Sequence, residues 1–181
     1  LYIERSDFQE VPSKGFRRMS PGTEIRLRYG FIVECTGVDK DPDTGAIVRV
    51  HATHDPLTRG GNAPDGRKIS GTIHWVSATE SLPCTVRLIG SLFSVDNPDA
   101  GGQDYVDIMN PESMVVCEGA RIEPSMADVE PEVPYQFERS GYFVRDNQLE
   151  GLVFNRAVSL KDGWSKTKKK RKYGSSRIGC I

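Results

Sequence analysis

Arginine recurs on short spacing near the start of the chain: Arg17 and Arg18 are adjacent in Lys14-Gly15-Phe16-Arg17-Arg18, and Arg26 and Arg28 follow at i and i+2. In an extended strand, residues i and i+2 point to one face, which sets their guanidinium groups about 7 Å apart. Two such groups do not face a core without partners, because the burial penalty is too large. This face is therefore either solvated or a surface that neutralises phosphates and grips bases in bidentate fashion. A second cluster is Tyr135-Gln136-Phe137-Glu138-Arg139, followed by Gly141-Tyr142-Phe143. Strand alternation puts Gln136 and Glu138 on one face and Tyr135, Phe137 and Arg139 on the other. Amide, carboxylate and guanidinium groups beside aromatic rings offer donors, acceptors and stacking surfaces for single-stranded bases. Ordinary half-buried strands carry the same residue types, so this cluster alone does not define a site.

The remaining polar residues form no catalytic constellation. His51 and His54 fall on opposite faces of a regular strand, poor geometry for a shared metal, and His74 beside Trp75 reads as structural. The sequence has no phosphate-binding glycine loop, no GxSxG and no evident carboxylate pair. Its four cysteines, Cys35, Cys84, Cys117 and Cys180, are far apart and make no CxxC, so they read as reduced thiols. The chain reads as a binder, with no catalytic centre and no cofactor of its own.

The net charge of −1 argues against a nucleic-acid ligand until its distribution is counted. Residues 1–30 carry +2, residues 31–160 carry −10 and residues 161–181 carry +7. Two basic ends flank an acidic middle, and clustered charge is what a phosphate backbone responds to. Lys166 to Lys172 places six cations in seven positions. Such a run is a solvated tail, a segment that lies along RNA, or a localisation signal, and composition does not separate these. No apolar run approaches the roughly 18 residues needed to span a bilayer, so no membrane partner is expected and the protein reads as cytoplasmic.

Strands must position these side chains. Residues 24–29 alternate polar and apolar, 31–35 continue as a more buried run, Asp41-Pro42-Asp43-Thr44-Gly45 supplies turn chemistry, and 46–52 alternate again. Thus 24–52 reads as a hairpin. Further strands are predicted over 71–78, 83–90, 114–123, 133–146 and 152–160, with long loops at 55–68 and 96–104. Many short strands with frequent reversals favour antiparallel closure, which removes exposed edges. The expectation is all-β, with a first barrel over 1–72, a second over 73–164 whose last strands could return to the first, and a basic tail over 165–181.

The words of the sequence then resemble a family. Leu1-Tyr2-Ile3-Glu4-Arg5-Ser6-Asp7-Phe8 is similar to the segment that opens the anticodon-binding region of glutaminyl-tRNA synthetases. So are Phe16-Arg17-Arg18 with Gly22, Asp65-Gly66-Arg67-Lys68, Gly71-Thr72-Ile73-His74-Trp75-Val76-Ser77, Leu92-Phe93 and Asn110-Pro111-Glu112-Ser113. Phe137-Glu138-Arg139-Ser140-Gly141-Tyr142-Phe143 and Val153-Phe154-Asn155-Arg156 complete a set in family order. The His-Trp-Val and Phe-Asn-Arg words occur in glutamyl enzymes too, whereas the word around Gln136 points to the glutaminyl branch.

The resemblance implies two antiparallel β-barrels, similar to a ribosomal 5S-RNA-binding barrel, with the unstacked anticodon of tRNA(Gln) held between them. It implies a parent class I ligase, monomeric, whose ATP- and magnesium-dependent catalytic domain precedes residue 1, since the HIGH and KMSKS-type motifs are absent. It implies that Arg18 reads the third anticodon base with Arg17 beside it, that Arg26 and Arg28 lie near the first, and that Gln136 and Arg139 hold the central uridine with Glu138 nearby. One further family arginine would lie before residue 1. Gly15 and Gly163 stand where some members have glutamine and threonine, so no contact from those side chains carries over. For Gln136 and Arg139 to serve one base, the chain must leave regular strand geometry between Glu138 and Tyr142. Two alternatives stay open: the equivalent region of a glutamyl-tRNA synthetase, and a free-standing ribosomal 5S-RNA-binding barrel protein. A protein-interaction module with incidental arginines is a third.

Overall fold

Alternation decides the first strands. In the computed structural model, which describes residues 1–60 and 62–160, Ile25 and Leu27 of β2 (Glu24–Leu27) turn into a core while Glu24 and Arg26 face outward. The same logic builds β3 (Ile32–Lys40), whose Ile32, Val33 and Cys35 are buried. With β1 (Tyr2–Ile3), β4 (Ile47–Asp55), β5 (Thr72–Ile73) and β6 (Trp75–Val76), these make up a first compact unit that runs to Thr79. Its main sheet has the order β4-β3-β2-β5, antiparallel except that β5 runs parallel to β2, and β1 pairs separately with β6. Met19, Ile25, Leu27, Val33, Cys35 and Ile73 form the core, joined by Ile3, Phe8, Val50 and Trp75. Each fully buried aliphatic there contributes roughly 1.5–3 kcal/mol from leaving water.

The second unit begins at Glu80. It contains β7 (Leu82–Ile89), β8 (Met114–Ile122), β9 (Pro134–Phe137), β10 (Gly141–Arg145) and β11 (Val153–Ser159) in the order β8-β7-β11-β10-β9, with β7 and β11 parallel. Its core gathers Cys84, Leu88, Cys117, Ile122, Phe143 and Phe154. Phe137 stacks on Phe143 at 4.3 Å between ring centroids and leans on Phe154 at 5.4 Å. Asp146 ties β10 to β11 by accepting a 2.9 Å hydrogen bond from the Asn155 amide, which holds its carboxyl below the usual aspartate range.

The all-β class matches expectation; the barrels do not. Among the described residues neither sheet closes: one has four strands and the other five, and the outermost strands of each stay unpaired with one another. Barrel closure needs long strands that share a tilt and a shear, and several of these are too short. β5 has two residues, and β9 has four and opens on Pro134, which cannot donate to a ladder. Short strands and a proline themselves blunt a sheet edge, so closure was not required for that purpose. Cys35 and Cys84 are free and buried, as read from sequence, but Cys117 is disulfide-bonded. The basic run Lys166 to Lys172 lies outside the described residues, as does Gly163.

Candidate nucleic-acid interface

In the first unit, Arg18 is the most firmly placed of the expected RNA-binding residues. The segment after β1 makes a single 3-10 turn over Arg5–Asp7, and Phe8 then bridges Met19. Met19 N–H donates to the Asp7 carbonyl (3.0 Å) and Gln9 N–H to the Met19 carbonyl (3.1 Å). This short pairing brings two residues eleven apart into register, and Arg18 Nη1 donates to Asp7 Oδ1. Asp7 is fully buried, whereas the Arg18 side chain is 35% exposed. The carboxylate therefore fixes one edge of the guanidinium while other donors of its five can face solvent or ligand. Arg17, next to it, is exposed. Its carbonyl abuts Gly71, where any Cβ would collide with that oxygen and come within 2.9 Å of Ile25 Cδ1.

Arg26 lies on the outward face of β2, where its N–H donates to the Gly71 carbonyl (3.1 Å). Arg28 does not share its strand: β2 ends at Leu27, and Arg28 enters the turn Leu27-Arg28-Tyr29-Gly30. Strand periodicity therefore does not set its direction, contrary to the i, i+2 reading. Its guanidinium instead lies over the Tyr29 ring, 4.8 Å from the centroid.

The loop that leads to Gly71 is latched to the outer face of the same sheet. Arg67 donates from Nε and Nη2 to Glu24 (3.0–3.2 Å), from Nη2 to Asp55 (2.6 Å) and from Nη1 to Asp65 (2.8 Å). The Arg67 side chain holds the Asp55 carboxyl below the usual aspartate range, and the Arg67 backbone N–H does the same for Asp65. This arginine is saturated by carboxylates, so its role is to set the loop rather than to meet phosphate.

In the second unit, the predicted single strand over 133–146 is a hairpin. β9 ends at Phe137, Ser140 N–H donates back to the Phe137 carbonyl (3.0 Å), and β10 starts at Gly141. The expected break between Glu138 and Tyr142 is thus present, as a full reversal rather than a bulge. Arg139 takes a positive φ of 67° within it. Gly141 permits the return: with φ at 153°, any Cβ would strike the Val158 carbonyl of β11 and the Arg156 stem. Phe137 points into the core, so its neighbour Gln136 points out, directly across from exposed Tyr142. Glu138 and Arg139 are half-buried in the turn. The hairpin therefore presents Gln136 on the sheet face and Glu138 and Arg139 at its end, within four consecutive residues.

Two supports carry no sign in the strand pattern. Asp7 stands in a family word, but its partner Arg18 lies outside any regular element. Trp75 Nε1–H donates to the Arg28 carbonyl (2.9 Å), fixing the turn from behind, across 47 residues of sequence. Among the described residues no group of three or more His, Cys, Asp or Glu could hold a metal ion, and no helix is long and apolar enough to cross a membrane.

An all-β chain that displays arginines and an amide at hairpin turns carries the donors an RNA-reading module would use, and comparison with known proteins gives the family. Two family models, both described as the anticodon-binding domain of class I (E and Q) tRNA synthetases, match residues 1–55 and 72–146. The chain belongs to this family. It is 51% identical over 170 residues to a glutamine–tRNA ligase of Cupriavidus metallidurans, covering 92% of this chain and 29% of that protein. It is 48% identical over 168 residues to one from Bradyrhizobium diazoefficiens and 47% identical over 170 residues to one from Nitrosomonas europaea, covering 92% of this chain and 30% of each relative. The chain thus spans about three tenths of the length of these curated relatives.

Proposed function

We propose that this chain reads the anticodon of tRNA(Gln) on behalf of a glutamine–tRNA ligase, whose catalytic portion joins glutamine to the tRNA using ATP and magnesium. The observation that carries this reading is the 51% identity over 170 residues to a protein of that name. Within it, Arg18 reads the third anticodon base with Arg17 on the adjacent phosphate, Arg26 and Arg28 serve the first base, and Gln136 with Arg139 serves the central uridine beside Glu138. The side-chain chemistry fits. Uridine presents carbonyl acceptors around one N–H donor, and Gln136 offers both a donor and an acceptor. Guanine presents two acceptors to a bidentate arginine.

Glutamine anticodons (C/U-U-G) differ from glutamate anticodons (C/U-U-C) only at the third base. The choice between the two tRNAs therefore falls on Arg18. Each bidentate base contact is worth roughly 1–3 kcal/mol of discrimination on the scale known from DNA. Binding of anticodon stem-loops that differ only at that base is the direct test. Tighter binding of the G form, lost in Arg18→Ala, is expected. Equal affinity for G and C would remove glutamine specificity, and the absence of any RNA binding at low salt would remove the reading altogether.

A further inference from the structure

Tyr29 is the third residue of the turn Leu27-Arg28-Tyr29-Gly30, which is closed by a 2.9 Å hydrogen bond from Gly30 N–H to the Leu27 carbonyl. Its φ is +56°, at a turn position that favours Gly or Asn. For a bulky aromatic this backbone is an outlier, and such strain persists only where the surroundings over-determine it. Packing does not compensate here, because Tyr29 is 80% exposed. An aromatic ring is thus held in an unfavourable conformation and shown to solvent.

The turn that holds it is rigid. Leu27 N–H donates to the Phe31 carbonyl, Arg28 N–H to the Ile73 carbonyl and Trp75 Nε1–H to the Arg28 carbonyl, each at 2.9 Å. Gly30 packs tightly enough that a Cβ would sit 3.2 Å from Leu27 Cβ and 3.4 Å from Trp75 Nε1. Three elements therefore fix the backbone beneath the ring. Above it lies the Arg28 guanidinium, 4.8 Å from the ring centroid, with Nη2 donating to Tyr29 Oη at 3.3 Å. Each structural partner engages the turn's backbone or one face of the ring. The opposite face of the ring is presented to solvent beside a cation.

We infer that Tyr29 is a stacking platform for an unpaired nucleobase, the base whose phosphate meets the neighbouring arginines. An aromatic face with an adjacent guanidinium is the combination that holds single-stranded nucleic acid: the ring stacks any base, and the cation neutralises the backbone. Nothing in the residue roles assigned above includes it. The inference rests on the anticodon-binding reading and adds to it a contact that supplies affinity without base identity.

The test uses the full chain with glutamine anticodon stem-loops carrying 5-iodouridine at each anticodon position in turn, and the variants Tyr29→Asn, Tyr29→Phe and Arg18→Ala. Stacking is worth roughly 5- to 150-fold in affinity per base. Tyr29→Asn is expected to weaken binding by that factor for G- and C-ended anticodons alike, and Tyr29→Phe, which keeps the ring, to recover most of the loss. Because Asn suits a positive φ, the melting temperature of Tyr29→Asn should equal or exceed that of the unsubstituted chain. Irradiation should crosslink the RNA to the peptide containing Tyr29. Unchanged binding by Tyr29→Asn, with no crosslink at Tyr29 while Arg18→Ala still loses third-base preference, would overturn the stacking role and leave the anticodon reading standing. Failure of the unsubstituted chain to bind any stem-loop would overturn both.

Discussion

Replacing Asp7 by Asn should unsettle Arg18 without touching RNA. Asp7 is fully buried and accepts from Arg18 Nη1, so the substitution replaces a charged acceptor by a neutral one at the same volume. Removing one partner of a wholly buried ion pair costs roughly 3–5 kcal/mol. Here the Arg18 side chain is 35% exposed and water takes over part of its solvation, and Asn retains a carbonyl acceptor. Both reduce the loss towards that of one charge-assisted hydrogen bond, about 2 kcal/mol. With a urea slope of about 2 kcal/mol/M, the unfolding midpoint should fall by about 1 M. Arg18→Ala should cost more, because it removes a counter-charge from a fully buried carboxylate.

Stability alone does not separate a positioning role from a purely structural one, so the second assay is stem-loop binding with the third anticodon base varied. If Asp7 aims Arg18, Asp7→Asn lowers the preference for G over C while affinity for the C form changes little. Combining Asp7→Asn with Arg18→Ala should cost less than the sum of the two, since a neutral Asn side chain has no need of the counter-charge that Arg18→Ala removes. An unchanged urea midpoint together with an unchanged third-base preference would refute the reasoning. A uniform loss across all anticodons would show that Asp7 supports the fold and not the reader.

Gln136→Ala should weaken binding by roughly 1–3 kcal/mol for anticodons with a central U and little for those with a central C; equal losses would make Gln136 structural. Arg67→Met should release the 62–71 loop, read as faster proteolysis within it and a lower melting temperature at pH 7. The Arg67 side chain holds the Asp55 carboxyl below the ordinary value in the folded chain, whereas Asp65 is held chiefly by a backbone N–H that Arg67→Met keeps. The Asp55 contribution is complete above about pH 4 and is lost as pH falls below it, through the folded value, so the gap between Arg67→Met and the unsubstituted chain should narrow in acid. Deleting residues 165–181 should weaken all stem-loops alike and lower the salt slope by at most about 5, at ~0.7 per cation for the seven Lys and Arg it removes; a changed ranking of anticodons would make that stretch a reader.

Local pattern exposed the strands and the residues on them, and failed where the partner was distant. Alternation placed Ile25 and Leu27 inward because a period of two needs only neighbours. The parallel pairings β2 with β5 and β7 with β11 join segments separated by whole hairpins, and adjacency gives no sign of them. Counting strands therefore suggested closure into barrels, while these two parallel contacts instead complete open sheets. Asp7 escaped notice for the same reason: its carboxylate matters only once the Phe8–Met19 bridge brings Arg18 to it.

The hairpin turns hide from the strand pattern for a different reason. Residues 24–29 read as one strand because Arg28 and Tyr29 continue the alternation and tyrosine favours strands; in 133–146 the pattern alone shows one strand, and only the need for Gln136 and Arg139 to serve one base points to the break between Glu138 and Tyr142. In both places the chain reverses, with Tyr29 at φ +56° and Arg139 at φ +67°. Only three non-glycine residues among those described take positive φ, and these are two of them. A residue chosen for the backbone would be Gly or Asn at either point. The local preference and the global path disagree at the turns that carry the proposed base contacts and at a single other described position, Glu132. Such disagreement is what a functional side chain produces, since its identity answers to a ligand that neither alternation nor turn propensity encodes.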